Sequence, residues 1–407
     1  MIRPVELLSS IAKLRFVKLN YDIDFSEYMG WVEGISSKVS EGVRGLLRMY
    51  NVDVYYGQAT LKSDTLVELG DGTSLKASNI IIATGTDPST IPGLEFDGSM
   101  VHSNRSILSI RRKPSRILIV GSGYIGVEFA GLLAKLGVEV YMVEVLERVL
   151  PAMDEDFSKL LSRRLSRLGV KTYTSTTVKS VDKRESYALV SLSNGLTIEV
   201  DYILVAVGRR PNTRNLGLEN AKVELDDRGY IRVDDTMRTS NPRIYATGDV
   251  AGPPLLAHKA FMQAVTAAES IGGLKSYYNP KAIPSVVFTD PEIVSVGLTE
   301  SEARREGYSV GVVKLPIGAL AKAIIEDSTD GFAKIVYDTN TKTILGIHIA
   351  APHASELAGE ASLAIELGAT LEDLSLTIHP HPTISEVLQE ASELALGRPK
   401  HYYIGKK

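Results

Sequence analysis

The 407 residues contain no cysteine. That absence excludes structural disulfides, thiolate zinc sites and a cysteine nucleophile together. It fits a composition purged of thermolabile residues. Tryptophan is represented only by Trp31, which is expected to be a packing residue. No apolar run approaches the length of a membrane span, and Met1 to Leu8 lacks the charged-then-apolar order of a signal peptide. The expectation is a cytoplasmic protein with no membrane partner. An excess of one charge is also missing: the formal net charge is -4. The basic clusters Arg111-Arg112-Lys113 and Arg163-Arg164 read as solvated linker and helix faces, so no nucleic-acid partner is expected. The length allows two to four domains, and no interval suggests disorder.

What is present starts at Arg116-Ile117-Leu118-Ile119-Val120, which runs into Gly121-Ser122-Gly123-Tyr124-Ile125-Gly126 and then into an apolar helix from Val127 to Leu133. This is a buried strand, a tight glycine turn and a helix. Gly121 permits the turn, Gly123 lets the backbone approach a pyrophosphate, and Gly126 lets the helix lie on the strand. The free N–H groups of the helix start then face the phosphates. A second strand, Glu139 to Val143, ends at Glu144, eighteen residues after Gly126. An acid there accepts hydrogen bonds from a ribose hydroxyl and repels a 2′-phosphate, which favours NAD over NADP. The competing reading is a glycine-rich turn in an unrelated α/β protein.

Asn79 to Gly85 and Pro242 to Asp249 are two strands that stop on the same Ala-Thr-Gly, one on each side of the nucleotide module. This is the pattern of a domain interrupted by an insertion. Between them, residues 113–212 read as strand, helix, strand, helix (Phe157 to Leu168), a hairpin around Ser193-Asn194-Gly195, and a closing strand from Tyr202 to Gly208, a self-contained Rossmann-type module. A helix is expected from Ala257 to Ile271. From about Pro280, strands (Ser285 to Phe288, Phe332 to Tyr337, Ile344 to Ile349) precede helices (Ser355 to Leu367, Thr383 to Leu396), the order of an α+β domain.

Ordered landmarks along the whole chain resemble the pyridine nucleotide-disulfide oxidoreductases, most closely the dihydrolipoamide dehydrogenases. They are Ala83-Thr84-Gly85 with Ile91-Pro92-Gly93, the Gly121 turn, Val207 to Asn212, Ala246-Thr247-Gly248-Asp249, Leu256 to Ala260, Thr289 to Glu292 with Val296 to Thr299, and His379 to Glu386. The resemblance implies an α/β fold: a Rossmann-type core of FAD and NAD domains and a C-terminal α+β dimerisation domain. The boundaries are 1–112 and 213–279 for FAD, 113–212 for NAD and 280–407 for the interface. It implies FAD and NAD as cofactors, a homodimer, and a 2-oxoacid dehydrogenase complex or lipoyl-protein as partner. By the same resemblance Asp249 bonds the ribityl chain of the flavin, and Thr84 and Gly85 lie beside the flavin. Ala257 and His258 approach its ring, Tyr124 is an aromatic lid, Glu128 a carboxylate near the nicotinamide, and Gly208 part of the cofactor site.

Family members open with a first glycine fingerprint for FAD and a Cys-x-x-x-x-Cys pair whose following lysine partners the acid at Glu128. This sequence begins just beyond that point, so the FAD domain is expected to be truncated and FAD to be held weakly unless another chain fills the gap. A late-assigned start, a truncation and a short paralogue are equally open explanations. In a thiol-disulfide flavoenzyme, His381 is the group to take a proton from a substrate dithiol near neutral pH. Glu386 fixes its tautomer, and Pro380 and Pro382 stiffen the turn. Alternatives are a solvated turn, or His379 and His381 as a metal pair, although no third ligand is near in sequence. Two functional classes follow: an FAD/NAD oxidoreductase whose thiol half-reaction is missing, or an inactive NAD(H)-binding protein with a structural or regulatory role.

Overall fold

The computed structural model describes residues 1–12, 14 and 16–402. It divides into two compact units, one of Met1–Val32, Thr90–Val207 and Lys281–Lys407, the other of Glu33–Ser89 and Gly208–Pro280.

The first unit holds a five-stranded parallel sheet in the order Val101–His102, Tyr202–Val205, Arg116–Val120, Glu139–Val143, Lys171–Tyr173. Its central strands are buried on both faces, which is why they read as continuous apolar runs. The helices Tyr124–Lys135 and Glu155–Arg167 cover the sheet. A three-stranded antiparallel sheet, Val178–Lys183, Ala188–Leu192 and Thr197–Val200, carries the hairpin at Asn194-Gly195. Residues after 280 form a five-stranded antiparallel sheet in the order Ser285–Val287, Glu292–Gly297, Ile344–Ala351, Phe332–Asp338, Val310–Pro316. Helices Ala354–Leu367 and Glu386–Ala395 pack on it. This C-terminal sheet shares one core with the parallel-sheet module: Phe332, Val287 and Ile293 lie in the same buried cluster as Ile117 and Phe157. The Phe157 and Phe332 rings stack at 5.3 Å.

In the second unit the two Ala-Thr-Gly strands, Ile80–Ile82 and Ile244–Ala246, pair parallel. Thr86–Pro88 pairs antiparallel with Arg209–Pro211. The strands Ala59–Leu61, Leu66–Leu69 and Ser74–Lys76 form a small meander, and the helix Ala257–Ile271 stands where the sequence places it. The helix Phe25–Met49 runs from the first unit into the second. The expectation that Trp31 is a packing residue is corrected: it is 48% exposed and, among the described residues, stacks on Tyr28 alone, at 6.3 Å. Its apolar stripe faces solvent. Among the described residues, no helix is long and apolar enough to cross a membrane.

Candidate functional site

The glycine turn is built as its residue types require. Gly121 has φ +101°, and a side chain there would collide with the Ala206 carbonyl. A side chain at Gly126 would strike the Gly121 carbonyl, so only glycine lets the helix sit this close to the strand. Gly123 differs: a Cβ there meets nothing within 4 Å. The fold therefore leaves open the space that a pyrophosphate would take, at the start of the helix Tyr124–Lys135, which no side chain caps. The first-turn N–H groups are left for an anion. Tyr124 and Ile125 open that helix, and Tyr124 packs partly buried on the core below. The residues present fit a dinucleotide.

Glu144 ends its strand beside this turn and is buried. Its Oε2 accepts both the N–H and the hydroxyl of Ser122 at 2.8 Å, and Oε1 accepts Leu146 N–H at 3.0 Å. The acid thus staples the glycine loop. Glu128, one turn into the helix, accepts Phe288 N–H at 2.9 Å. Burial pushes its carboxyl above the usual range, and the Phe288 hydrogen bond offsets this only in part.

In the second unit Asp249 is held by Thr86, whose hydroxyl donates to Oδ2 at 2.8 Å. Arg209 donates to the Thr86 hydroxyl at 2.7 Å and to its carbonyl, so guanidinium, hydroxyl and carboxylate form one chain. Thr84 bonds the Asn212 carbonyl at 2.8 Å, and Asn212 returns a bond to the Thr84 carbonyl at 3.1 Å. Gly85 and Gly208 take φ of +66° and +125° at the two ends of this paired segment. Thr84, Asn212, Arg210, Arg214 and Arg228 line a cavity of about 570 Å³. Ala257 and His258 open the helix Ala257–Ile271, whose start has no side-chain cap. An acid to receive a ribityl hydroxyl, a polar cavity and an uncapped helix start fit a flavin nucleotide.

At the C-terminal turn, His381 Nδ1 lies 2.9 Å from Glu386 Oε1. A carboxylate only accepts, so Nδ1 carries the hydrogen and Nε2 is left as the acceptor. Glu386 is buried at the start of its helix and also accepts Thr383 N–H at 2.8 Å, which fixes the carboxylate; the His381 ring is 62% exposed. His379 does not join it. Both its nitrogens are engaged, with Glu360 at 2.8 Å and the Thr377 carbonyl at 3.0 Å. The Glu360 hydrogen bond raises its pKa. No group of metal-ligating side chains forms among the described residues.

Sequence reading missed Ser122 as the partner of Glu144, and Thr86 and Arg209 as the partners of Asp249. Ser122 had a local signal, since it lies inside the glycine motif. Thr86 had none, being 163 residues from Asp249.

Residues 6–267 match the family described as pyridine nucleotide-disulphide oxidoreductase, and residues 283–392 match its dimerisation domain. A dihydrolipoyl dehydrogenase of Thermus scotoductus is 41% identical over 382 residues, covering 93% of this chain and 82% of that protein. Among solved structures, LpdA of Mycobacterium tuberculosis superposes with a TM-score of 0.89 at 28% identity, over 97% of this chain and 88% of that one. The HOCl-induced flavoprotein disulfide reductase RclA of Escherichia coli gives 0.85 at 27% identity, over 91% and 86%.

Proposed function

The chain belongs to the pyridine nucleotide-disulphide oxidoreductases and is a dihydrolipoyl dehydrogenase-like oxidoreductase of FAD and NAD(H); from that premise we propose that these 407 residues serve the nicotinamide-to-flavin half of the reaction and not the thiol half. Bound NAD(H) and FAD supply the hydride chemistry. The chain's own residues bind and orient. Gly121, Gly123 and Gly126, with Tyr124 and Ile125, seat the pyrophosphate; Glu144 selects an unphosphorylated ribose; Glu128 lies near the nicotinamide. Asp249, Thr84, Gly85, Gly208, Ala257 and His258 serve the flavin. The observation that carries this reading is the open space at Gly123 beside a loop already stapled by Glu144.

A disulfide acceptor needs thiolates, and these residues have none. His381 and Glu386 keep the form of a proton acceptor for a dithiol, which favours assembly with a lipoyl-bearing partner, such as a 2-oxoacid dehydrogenase complex, with the disulfide relay between that dithiol and the flavin supplied by a chain other than this one. The same lack of cysteine favours a second reading, an inactive NAD(H)-binding protein. Homodimerisation is part of the proposal, supported by the dimerisation-domain match and by the exposed Leu363, Leu367, Leu376 and Ile378. Leu357, Ala361, Ala364, Ile365, Leu388, Ala391 and Leu394, the recurrent apolar positions of the two C-terminal helices, pack inside one subunit.

Anaerobic titration of the purified chain with NADH tests the reading. Bleaching of a flavin absorbance by NADH, with no lipoamide turnover, is the expected result. A colourless protein that binds NAD+ supports the inactive reading, and lipoamide turnover by the pure chain overturns both.

A further inference from the structure

A buried cation of the C-terminal sheet reaches the nucleotide loop through a short tether bonded at both ends. Lys334, in the strand Phe332–Asp338, donates to Asp154 Oδ2 at 2.9 Å and Asp156 Oδ2 at 3.2 Å, with Glu300 Oε2 at 3.8 Å. Lys334 and Asp154 are both buried. Asp154 caps the helix Glu155–Arg167 by accepting Asp156 N–H through its other oxygen. Upstream, Met153 N–H donates to the Leu150 carbonyl, and Arg148 Nη2 donates to the carbonyls of Pro151 at 2.9 Å and Met153 at 3.2 Å. Leu150, itself at φ +52°, then donates to the Ser122 carbonyl at 3.0 Å. Ser122 is the loop residue that Glu144 holds from the other side. Five residues, Leu150 to Asp154, therefore run from the glycine turn to Lys334 with a bond at each end.

We propose that Lys334 is a positioning residue for the dinucleotide: by clamping Asp154 it fixes the tether that holds Ser122, and so sets the glycine loop in its binding geometry. This rests on the dinucleotide reading of that loop. The clamp is stiff for an electrostatic reason. Burial pulls the Lys334 ammonium toward neutrality, but Asp154 and Asp156 outweigh it, so the group stays firmly charged. An unpaired Asp154 in that place would have to draw in water or turn away. Either response moves the tether.

Sequence separation hides this link, since Lys334 and Asp154 lie 180 residues apart. Lys314 joins the same cluster through Asp156 at 3.0 Å, but two other bridges between this helix and the C-terminal segment do not touch the tether. Arg167 meets Asp330 at 2.6 Å, and Arg164 meets Asp290 at 2.9 Å. They fasten the helix without reaching the loop, and so provide the control.

The experiment is calorimetric titration of the purified full chain with NAD+. Lys334→Met and Asp154→Asn are each expected to weaken binding about tenfold. Asparagine still caps a helix, so Asp154→Asn removes the clamp while keeping the helix start; it decides the matter if Lys334→Met fails to fold. The double variant should be no weaker than either single one, because both break one link. Lys334→Arg should restore affinity, and Arg167→Met should leave it unchanged. Wild-type affinity in folded Lys334→Met or in Asp154→Asn overturns the proposal, and so does an equal loss in Arg167→Met, which would mark a general loosening. Failure of the wild type to bind NAD+ overturns the dinucleotide reading, and the proposal with it.

Discussion

The two units bury their apolar residues to very different degrees. In the first, Ile117, Leu118 and Ile119 are inaccessible to solvent, and Phe157 sits in a core that two sheets share. In the second, the helix that ends at Met49 leaves Ile35, Val39, Val43 and Leu46 exposed at helical spacing, followed by Val52, Val54, Tyr55 and Tyr56. Phe261, Met262 and Val265 are exposed on the helix Ala257–Ile271 as well. Single exposed apolar residues need no explanation, but a continuous stripe marks a surface that another element covers. The glycine loop is therefore held on a core completed within its own unit, whose exposed apolar residues Leu363, Leu367, Leu376 and Ile378 lie in the C-terminal segment, whereas Thr84, Gly85 and Asp249 stand on a unit with apolar stripes on two helices.

The largest expected effect comes from cutting the shared core. Phe157→Ala removes a fully buried ring that stacks on Phe332, and a loss of about 3–5 kcal/mol is expected. Chemical denaturation measures it. A loss under 1 kcal/mol would mean that the C-terminal sheet and the parallel sheet are not one core, and the contrast between the units would fail.

Next in size is the specificity of the loop. Glu144→Gln keeps an oxygen to accept Ser122 N–H but removes the charge that repels a 2′-phosphate. The preference for NAD+ over NADP+ is expected to fall about tenfold, or about 1.4 kcal/mol, and stability by about 1–3 kcal/mol, because the glutamine NH2 cannot accept the Leu146 N–H that Oε1 now takes. Comparative titration with the two nucleotides reads it. An unchanged ratio would assign Glu144 to stapling the loop alone.

Much of this was legible in the sequence, and the boundary of legibility is physical. The glycine turn could be read because its three glycines fall within six residues between an apolar strand and an apolar helix, although the group that requires Gly121, the Ala206 carbonyl, is far away in sequence. His381 and Glu386 could be read because five residues bring them together. Thr86 and Arg209 on Asp249 could not, because a parallel pair and an antiparallel pair of short strands make that contact, and neither strand's pattern names its partner. The strands Glu292–Gly297 and Val310–Pro316 were passed over because polar residues such as Ser295 and Lys314 interrupt them. The helix Phe25–Met49 carries Gly30, Gly34, Gly42 and Gly45, each of which weakens a helical signal. Trp31 departs from its expected packing role because it lies on a helix whose apolar stripe, Ile35, Val39 and Val43, is open among the described residues.

A smaller effect separates the units by pH. His348 is wholly buried in the C-terminal sheet, bonded to Ser295 at 2.9 Å and the Leu298 carbonyl at 3.1 Å, and burial lowers its pKa. As pH falls through the ordinary imidazole range near 6.5, the unfolded chain takes up a proton that the folded one refuses, so stability falls with it. Glu128, with its raised pKa, acts in the opposite direction: above pH 4.5 the folded state holds a proton that the unfolded chain has lost. Its contribution fades as pH rises from 4.5 through its raised pKa. The His348 contribution is thus expected to be lost as pH falls below 6.5, whereas His379, whose pKa the Glu360 hydrogen bond raises, gains as pH falls toward 6.5; a His348→Gln variant, though less stable throughout, should lose less stability on acidification. An identical slope in the variant would place the acid sensitivity elsewhere.

The smallest expected effect is the most direct test of the open face. Val39→Gln and Val43→Gln replace exposed β-branched residues with better helix formers, so within the isolated chain each should change stability by no more than about 0.5 kcal/mol. They should also reduce self-association at high protein concentration, since both remove area from a continuous apolar stripe. Trp31 gives the readout, because it is the only tryptophan and lies on the same helix. Its emission should be that of a solvated indole at low concentration, and should shift to shorter wavelength as wild-type chains associate. If the glutamine variants instead lose several kcal/mol, or if Trp31 emits as a buried indole in the dilute monomer, the face is already covered within the chain. The second unit would then be as self-sufficient as the first.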